Sequence, residues 1–200
     1  MTEAPKRIVQ VLRVLAAMAA PFALAGAALH ITPTVVLHKH ADVIRSTLPS
    51  AQRFFLRTVA IGRGDLERIR AQDDYAPDDP EVKFYYGTDA TGAVAGVVLF
   101  PQVNTQHGPF EVGLTIGPEG TVLHATVTKA TVETKPWAEQ VVRAHLMDQF
   151  RGMRPGDDVT AALETLDRDH LGRMPYFTAR TLAQAVERGL TLYQVLYTGQ

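Results

Sequence analysis

An α+β fold, an antiparallel sheet meander with helices packed on one face and one apolar helix ahead of it, follows from three observations. From Val82 to Val132 apolar residues recur with the period of strands and are separated by Gly-containing turns. After Pro136, and again after Thr178, they recur with the period of amphipathic helices. Between Val14 and Leu29 no charged or strongly polar side chain occurs.

Lys6, Arg7 and Arg13 precede the apolar run Val14–Leu37. By the positive-inside rule the basic end stays cytoplasmic and the remainder lies across the membrane. Continued past His30, the run reaches roughly the 20 residues that a spanning helix needs. Small-residue stretches, "ALA" and "AGA", also offer signal-peptide cleavage sites. An uncleaved transmembrane anchor in the lipid bilayer is the expectation, a cleaved signal peptide its alternative. The chain then divides into residues 1–40, a cytoplasmic tip and anchor, and residues 41–200, a domain on the periplasmic side of the cell (inner) membrane.

Next, "HADVIRSTLPSAQRFF" gives a short helix and a turn at Leu48-Pro49. A second helix, "GDLERIRAQ", starts at Asp65 as N-cap, and the acidic "DDYAPDDPE" is a solvated loop without EF-hand spacing. "VKFYYG" and "VAGVVLF" are strands joined by "TDATG", with Gly92 available for positive φ. In "FEVGLTI", Phe110, Val112, Leu114 and Ile116 alternate with Glu111, Gly113 and Thr115, the period of a half-buried strand. "GPEG" turns into the return strand "TVLHATVTKATV". Pro136 opens a helix with Val142, Leu146 and Phe150 on one face and Gly152 at its end. The last helix runs from about Ala179 to Leu196, with Leu182, Val186, Leu190, Tyr193 and Tyr197 on one stripe.

A net charge of −1 and the lack of a basic patch with interleaved aromatics argue against a nucleic-acid partner. With no cysteine there is no disulfide, thiolate metal site, iron–sulfur cluster or c-type haem attachment. His38 and His40 fit a haem shared by two copies or, more simply, the polar flank of the anchor. His124, His145 and His170 have no metal-ligand spacing, and no nucleophile motif or phosphate-cradling Gly loop occurs.

The order of segments says more. "STLPSAQRFF", "GTDATGAVAGVVLF", "HGPFEVGLTIGPEGTVLHATVTKATVET" and "QFRGM" are followed by a Thr opening the terminal helix. This succession resembles the FMN-binding domain of the small membrane-anchored flavoprotein subunits of Rnf and sodium-pumping NADH:quinone reductase complexes. It is similar also to the related domain of nitrous-oxide-reductase regulatory membrane proteins. The resemblance covers about Ala41 to Leu196.

It implies FMN at Thr178, the place of the Thr that such domains join to the flavin phosphate, with Thr181 as the hydroxyl residue three places on. Pro175, Tyr176 and Phe177 stand where Ser/Thr, Gly and Ala occur in that family, and Asp169 lies too far upstream to be its acid. FMN is therefore expected to be held non-covalently rather than through a phosphoester. The local physics leaves two roles for Thr178. As N-cap it presents a phosphate with the N–H groups of Ala179 to Thr181, the helix dipole and Arg180, or it merely caps its own helix. Tyr176 and Phe177 stack on the isoalloxazine ring or fill core.

Glu133 and Thr134 match the Glu-Thr pair of a loop lying against the flavin, continued here by Lys135, Pro136 and Trp137. Trp137 covers a flavin face or anchors its helix. His107, Gly108 and Pro109 match a Gly-Gly-Pro turn with a backbone role. The implied function is an electron-transfer flavoprotein subunit rather than a stand-alone enzyme, passing electrons between other membrane redox subunits. A flavin-free docking subunit that retains only the fold is the alternative.

Overall fold

β-Branched and aromatic residues, punctuated by turns whose geometry the sequence dictates, fold into one antiparallel sheet. The computed structural model describes residues 32–73, 75–164 and 171–198. The apolar run before Thr32, with the expected anchor or signal, lies outside them, as do Asp169 and His170.

The strands are β1 (Thr34–Val36), β2 (Arg53–Ala60), β3 (Glu81–Thr88), β4 (Val94–Leu99), β5 (Gln102–Thr105), β6 (Gly108–Ile116) and β7 (Val122–Thr131). Their order is β1-β7-β6-β4-β3-β2, with β5 paired to β6. The β3–β4 turn is built as expected, with Gly92 at φ +88°. Asp89 Oδ1 accepts hydrogen bonds there from the N–H groups of Thr91 (2.8 Å) and Ala93 (3.1 Å). The β6–β7 turn closes through Gly117 N–H to Thr121 O at 2.8 Å, with Gly120 at φ +77°.

Helices α1 (His40–Thr47), α2 (Arg63–Asp73), α3 (Lys135–Arg143) and α4 (Arg173–Leu192) complete the regular elements described here. The main core joins Val97, Leu99, Val112, Leu114, Ile116 and Val127 of the sheet to Ile69 of α2, Val141 of α3 and Leu182, Val186 and Leu190 of α4. Helices do not all lie on one face, however. Val43 and Ile44 of α1, with Leu48, pack on Val98 in a second cluster, against Ala51, Tyr85 and Phe100. The consecutive apolar residues Val97, Val98 and Leu99 carry this two-sided burial. Glu111, on what reads as the solvated side of a half-buried strand, is for the same reason only 3% exposed.

Four further expectations are corrected. The run towards Leu37 does not continue as a helix, because Thr34–Val36 is an edge strand paired to β7. Asp65 lies inside α2 rather than at its N-cap, its carboxylate accepting the Gly62 N–H at 2.9 Å. The helix expected to carry Val142, Leu146 and Phe150 ends at Arg143, because His145 turns left-handed at φ +55°. Leu146–Phe150 is a separate 3-10 turn, and Gly152 follows it at φ +85°.

The last helix begins at Arg173, after Gly172 at φ +82°, and passes at its end into a π turn, Tyr193–Thr198. Pro175 sits in its first turn, where a missing N–H breaks no helical bond. Among the described residues no helix is long and apolar enough to cross a membrane.

Candidate functional site

Where β7 runs into α3 the chain turns through Val132 and Glu133, and two buried threonines fix the turn. Thr134 Oγ1 accepts the Thr131 N–H at 3.0 Å and lies 2.9 Å from Thr131 Oγ1. Thr131 Oγ1 donates in turn to the His107 carbonyl at 3.0 Å, which binds the β5–β6 turn to the same corner. Gly108 is required there: it has φ +97°, and a Cβ would stand 2.4 Å from Thr131 Cγ2.

This scaffold orients the side chains above it. His107 Nδ1 lies 2.8 Å from Glu133 Oε1, and the imidazole meets the ring of Trp137 edge-on at 5.4 Å. Lys135 reaches Glu139 at 3.6 Å, one helical turn on. The position of Pro136 in the first turn of α3 is as expected.

Tyr176, Phe177, Thr178, Arg180 and Thr181 all lie inside α4. Thr178 is 4% exposed and more than a turn past the helix start, so it is no N-cap. The N–H groups of Ala179 to Thr181 are accordingly not the unpaired donors of that helix. Those belong to its first turn, where neither a capping side chain nor an acidic residue is found. Phe177 is 43% exposed, with the Arg173 guanidinium 5.8 Å from its ring centre and Tyr176 edge-on at 5.9 Å. Thr181 Oγ1 donates to the Phe177 carbonyl at 3.0 Å, and Arg180 is exposed.

The structure thus draws the two sets of residues onto adjoining helices. α3 packs on α4, with Ala138 and Val141 buried in the core that Leu182 and Val186 share, and Gln140 Nε2 donates to the Leu171 carbonyl, just before α4, at 3.2 Å. In FMN terms the aromatic surfaces of Trp137, Tyr176 and Phe177 suit a planar ring. Arg173, Arg180 and the start of α4 suit a phosphate. Thr178, turned into the core, does not fit an ester linkage in this conformation.

A second polar centre lies where the sequence suggests only the flank of an anchor. Glu111 accepts hydrogen bonds from Thr128 Oγ1 (2.7 Å), Lys129 Nζ (2.7 Å) and Gln102 Nε2 (3.1 Å), and His40 Nε2 lies 2.6 Å away. The His40 ring stacks on Phe100 at 3.7 Å. Burial pushes the Glu111 carboxyl up, but the bonds from Lys129, His40 and Thr128 outweigh it and hold its pKa below the ordinary 4.5. The group borders a cleft of about 580 Å³ with Tyr75, Asp78, Tyr85 and Phe100, which none of the expected flavin residues lines. The signal for it in the sequence is one carboxylate in the middle of a strong strand. Among the described residues no group of three or more metal-ligating side chains occurs.

Neither a protein-family model nor a curated protein matches this sequence. Among solved structures, the crystal structure of NqrC from Shewanella oneidensis is similar, with a TM-score of 0.47 and 12% sequence identity over 76% of this chain and 84% of that one. Overlap at that level assigns no role to any residue.

Proposed function

We propose that the chain is an FMN-binding electron-transfer subunit, anchored in the membrane by its N-terminal segment and working with other redox subunits of a larger complex. The observation that supports the reading is that two of the segments to which the resemblance assigns flavin contacts belong to neighbouring helices. The loop Glu133–Trp137 and the start of α4 are far apart in sequence and lie on helices that pack together.

In this reading Trp137, Tyr176 and Phe177 hold the isoalloxazine ring. Glu133 and Thr134 border it, while Arg173, Arg180, Lys135 and the first turn of α4 hold the phosphate, with Thr181 beside them. FMN, when bound, supplies the electron chemistry, and the protein supplies its position and potential. No general acid or base is needed. Burial of Thr178 supports a non-covalent flavin and gives the second reading, a flavin-free docking subunit, its specific motive.

The test is the absorbance of the full chain purified in detergent, before and after acid precipitation. Flavin released into the supernatant supports the proposal as stated. Flavin retained in the pellet, and lost in Thr178→Ala, moves it to the covalent form. A colourless protein that takes up no added FMN establishes the docking subunit instead.

A further inference from the structure

The sheet is covered on both faces, but the two faces are not alike. Val112, Leu114 and Ile116 of β6 enter the main core, while the alternate positions Glu111, Gly113 and Thr115 lie towards α1. β7 adds Thr128 and Lys129 around Glu111. Such a row of carboxylate, hydroxyls and glycine meets water at much smaller cost than a row of valine and leucine. It has the composition of a solvent face, and α1 nevertheless covers it.

What holds α1 in place is slight and separable. Its apolar seat is Val43, Ile44 and Leu48 on Val98, a cluster that shares no residue with the main core. The fit is close: a Cβ on Gly113 would stand 3.0 Å from Val43 Cγ1, and one on Gly96 2.6 Å from Leu48 Cδ2. Two polar contacts complete the seat. Thr115 Oγ1 donates to Thr47 Oγ1 at 2.8 Å, and His40, stacked on Phe100, reaches Glu111. With eight residues and no side-chain cap at its N-terminus, α1 is too short to hold its own turns once undocked. The chain on either side is tied down separately. β1 pairs with β7, and the Gln52 N–H, just before β2, donates to the Thr88 carbonyl at 2.8 Å.

We infer that α1 is a lid. It leaves the sheet as a unit between these two fixed points while the main core stays closed, and its departure takes His40 out of the wall of the cleft that Glu111 and Phe100 border. The Glu111 carboxylate, buried under the closed lid, then meets solvent. The inference is independent of flavin, so it stands or falls apart from the proposed function.

The absence of cysteine makes the test direct, since a single introduced thiol reports only its own site. Val98→Cys places that thiol beneath α1 and Val127→Cys places it in the main core, both at fully buried positions. In the full chain in detergent, a maleimide is expected to label Val98→Cys about a hundredfold or more faster than Val127→Cys, with little response to low urea, because a local opening exposes little surface. Equal, slow labelling of the two, rising together with urea, means that both open only by global unfolding and overturns the inference. A second measurement closes the lid. The oxidised pair Thr47→Cys with Thr115→Cys is expected to slow hydrogen exchange of the Val43–Thr47 amides about tenfold or more relative to its reduced form, leaving those of α4 unchanged. Unchanged exchange in α1, or equal slowing of α1 and α4, overturns the lid as well.

Discussion

His40 Nε2 lies 2.6 Å from Glu111 Oε1, joining the first turn of α1 to the middle of β6 across 71 residues of sequence. The carboxylate is buried and ringed by donors; if it is removed, His40 and Lys129, about one-third exposed, can turn to water, whereas buried Thr128 loses its partner. Glu111→Ala is expected to destabilise the fold by about 1–3 kcal/mol, the scale of a buried polar group left without its partner, measured by urea unfolding. The pH dependence has a definite sign. A carboxyl held below 4.5 contributes fully above that pH, and its contribution is lost as pH falls through the lower folded value. Glu111→Gln is expected to flatten that part of the acid limb.

His124 acts in a separate window. Burial holds its imidazole below the ordinary 6.5, opposed by Asp148 and reinforced by Arg151 and His38. The unfolded chain therefore takes up the proton first. Stability is complete above 6.5 and declines as pH falls from there towards the folded value. His124→Gln should abolish this decline while sparing that of Glu111, a distinction that urea midpoints on either side of 6.5 resolve.

Gly189 sets two effects against each other. Alanine would raise helix propensity in α4 by about 1 kcal/mol. Its Cβ would also stand 2.6 Å from Leu114 Cδ2 and 3.0 Å from Pro101 Cγ, and Leu114 is fully buried. Overpacking of this kind costs about 1–3 kcal/mol. A net loss of stability in Gly189→Ala is expected; a rise in the unfolding midpoint would show that the sheet yields to the helix.

Trp137 is the sole tryptophan and thus the sole indole reporter. Adding FMN to flavin-free protein should quench its emission. Trp137→Phe should weaken FMN binding by roughly three- to tenfold, the scale of one aromatic contact. Unchanged emission on binding would place the flavin away from α3.

The meander is legible because its signals are local. Gly92 and Gly120 stand where positive φ is needed, and the alternation from Phe110 to Ile116 marks β6 directly. What escapes the sequence depends on tertiary contact. Nothing local in "RFFLRTVA" announces a strand whose pairing partner lies beyond an intervening helix. Glu111 reads as solvated until α1 is known to cover the second face. The start of α4 is misplaced because Thr178 looks like a cap, whereas Gly172 and a first-turn proline set the true boundary. The consequence for the candidate site is specific: Trp137 and Phe177 are legible as side chains, whereas the unpaired N–H groups of the first turn of α4 are not.

The pairing of β1 with β7, and of Thr47 with Thr115 across 68 residues, bears on when this chain acquires its structure. Contacts so distant close slowly, since loop-closure entropy must be met before they form. β1 and α1 leave the ribosome early, yet their seats are built by β6 and β7, made much later. The front of the domain must wait, unpaired, for its back. A chain interrupted before Thr131 has nowhere to dock its first strand, so β1 takes its place only once the growing chain has passed β7.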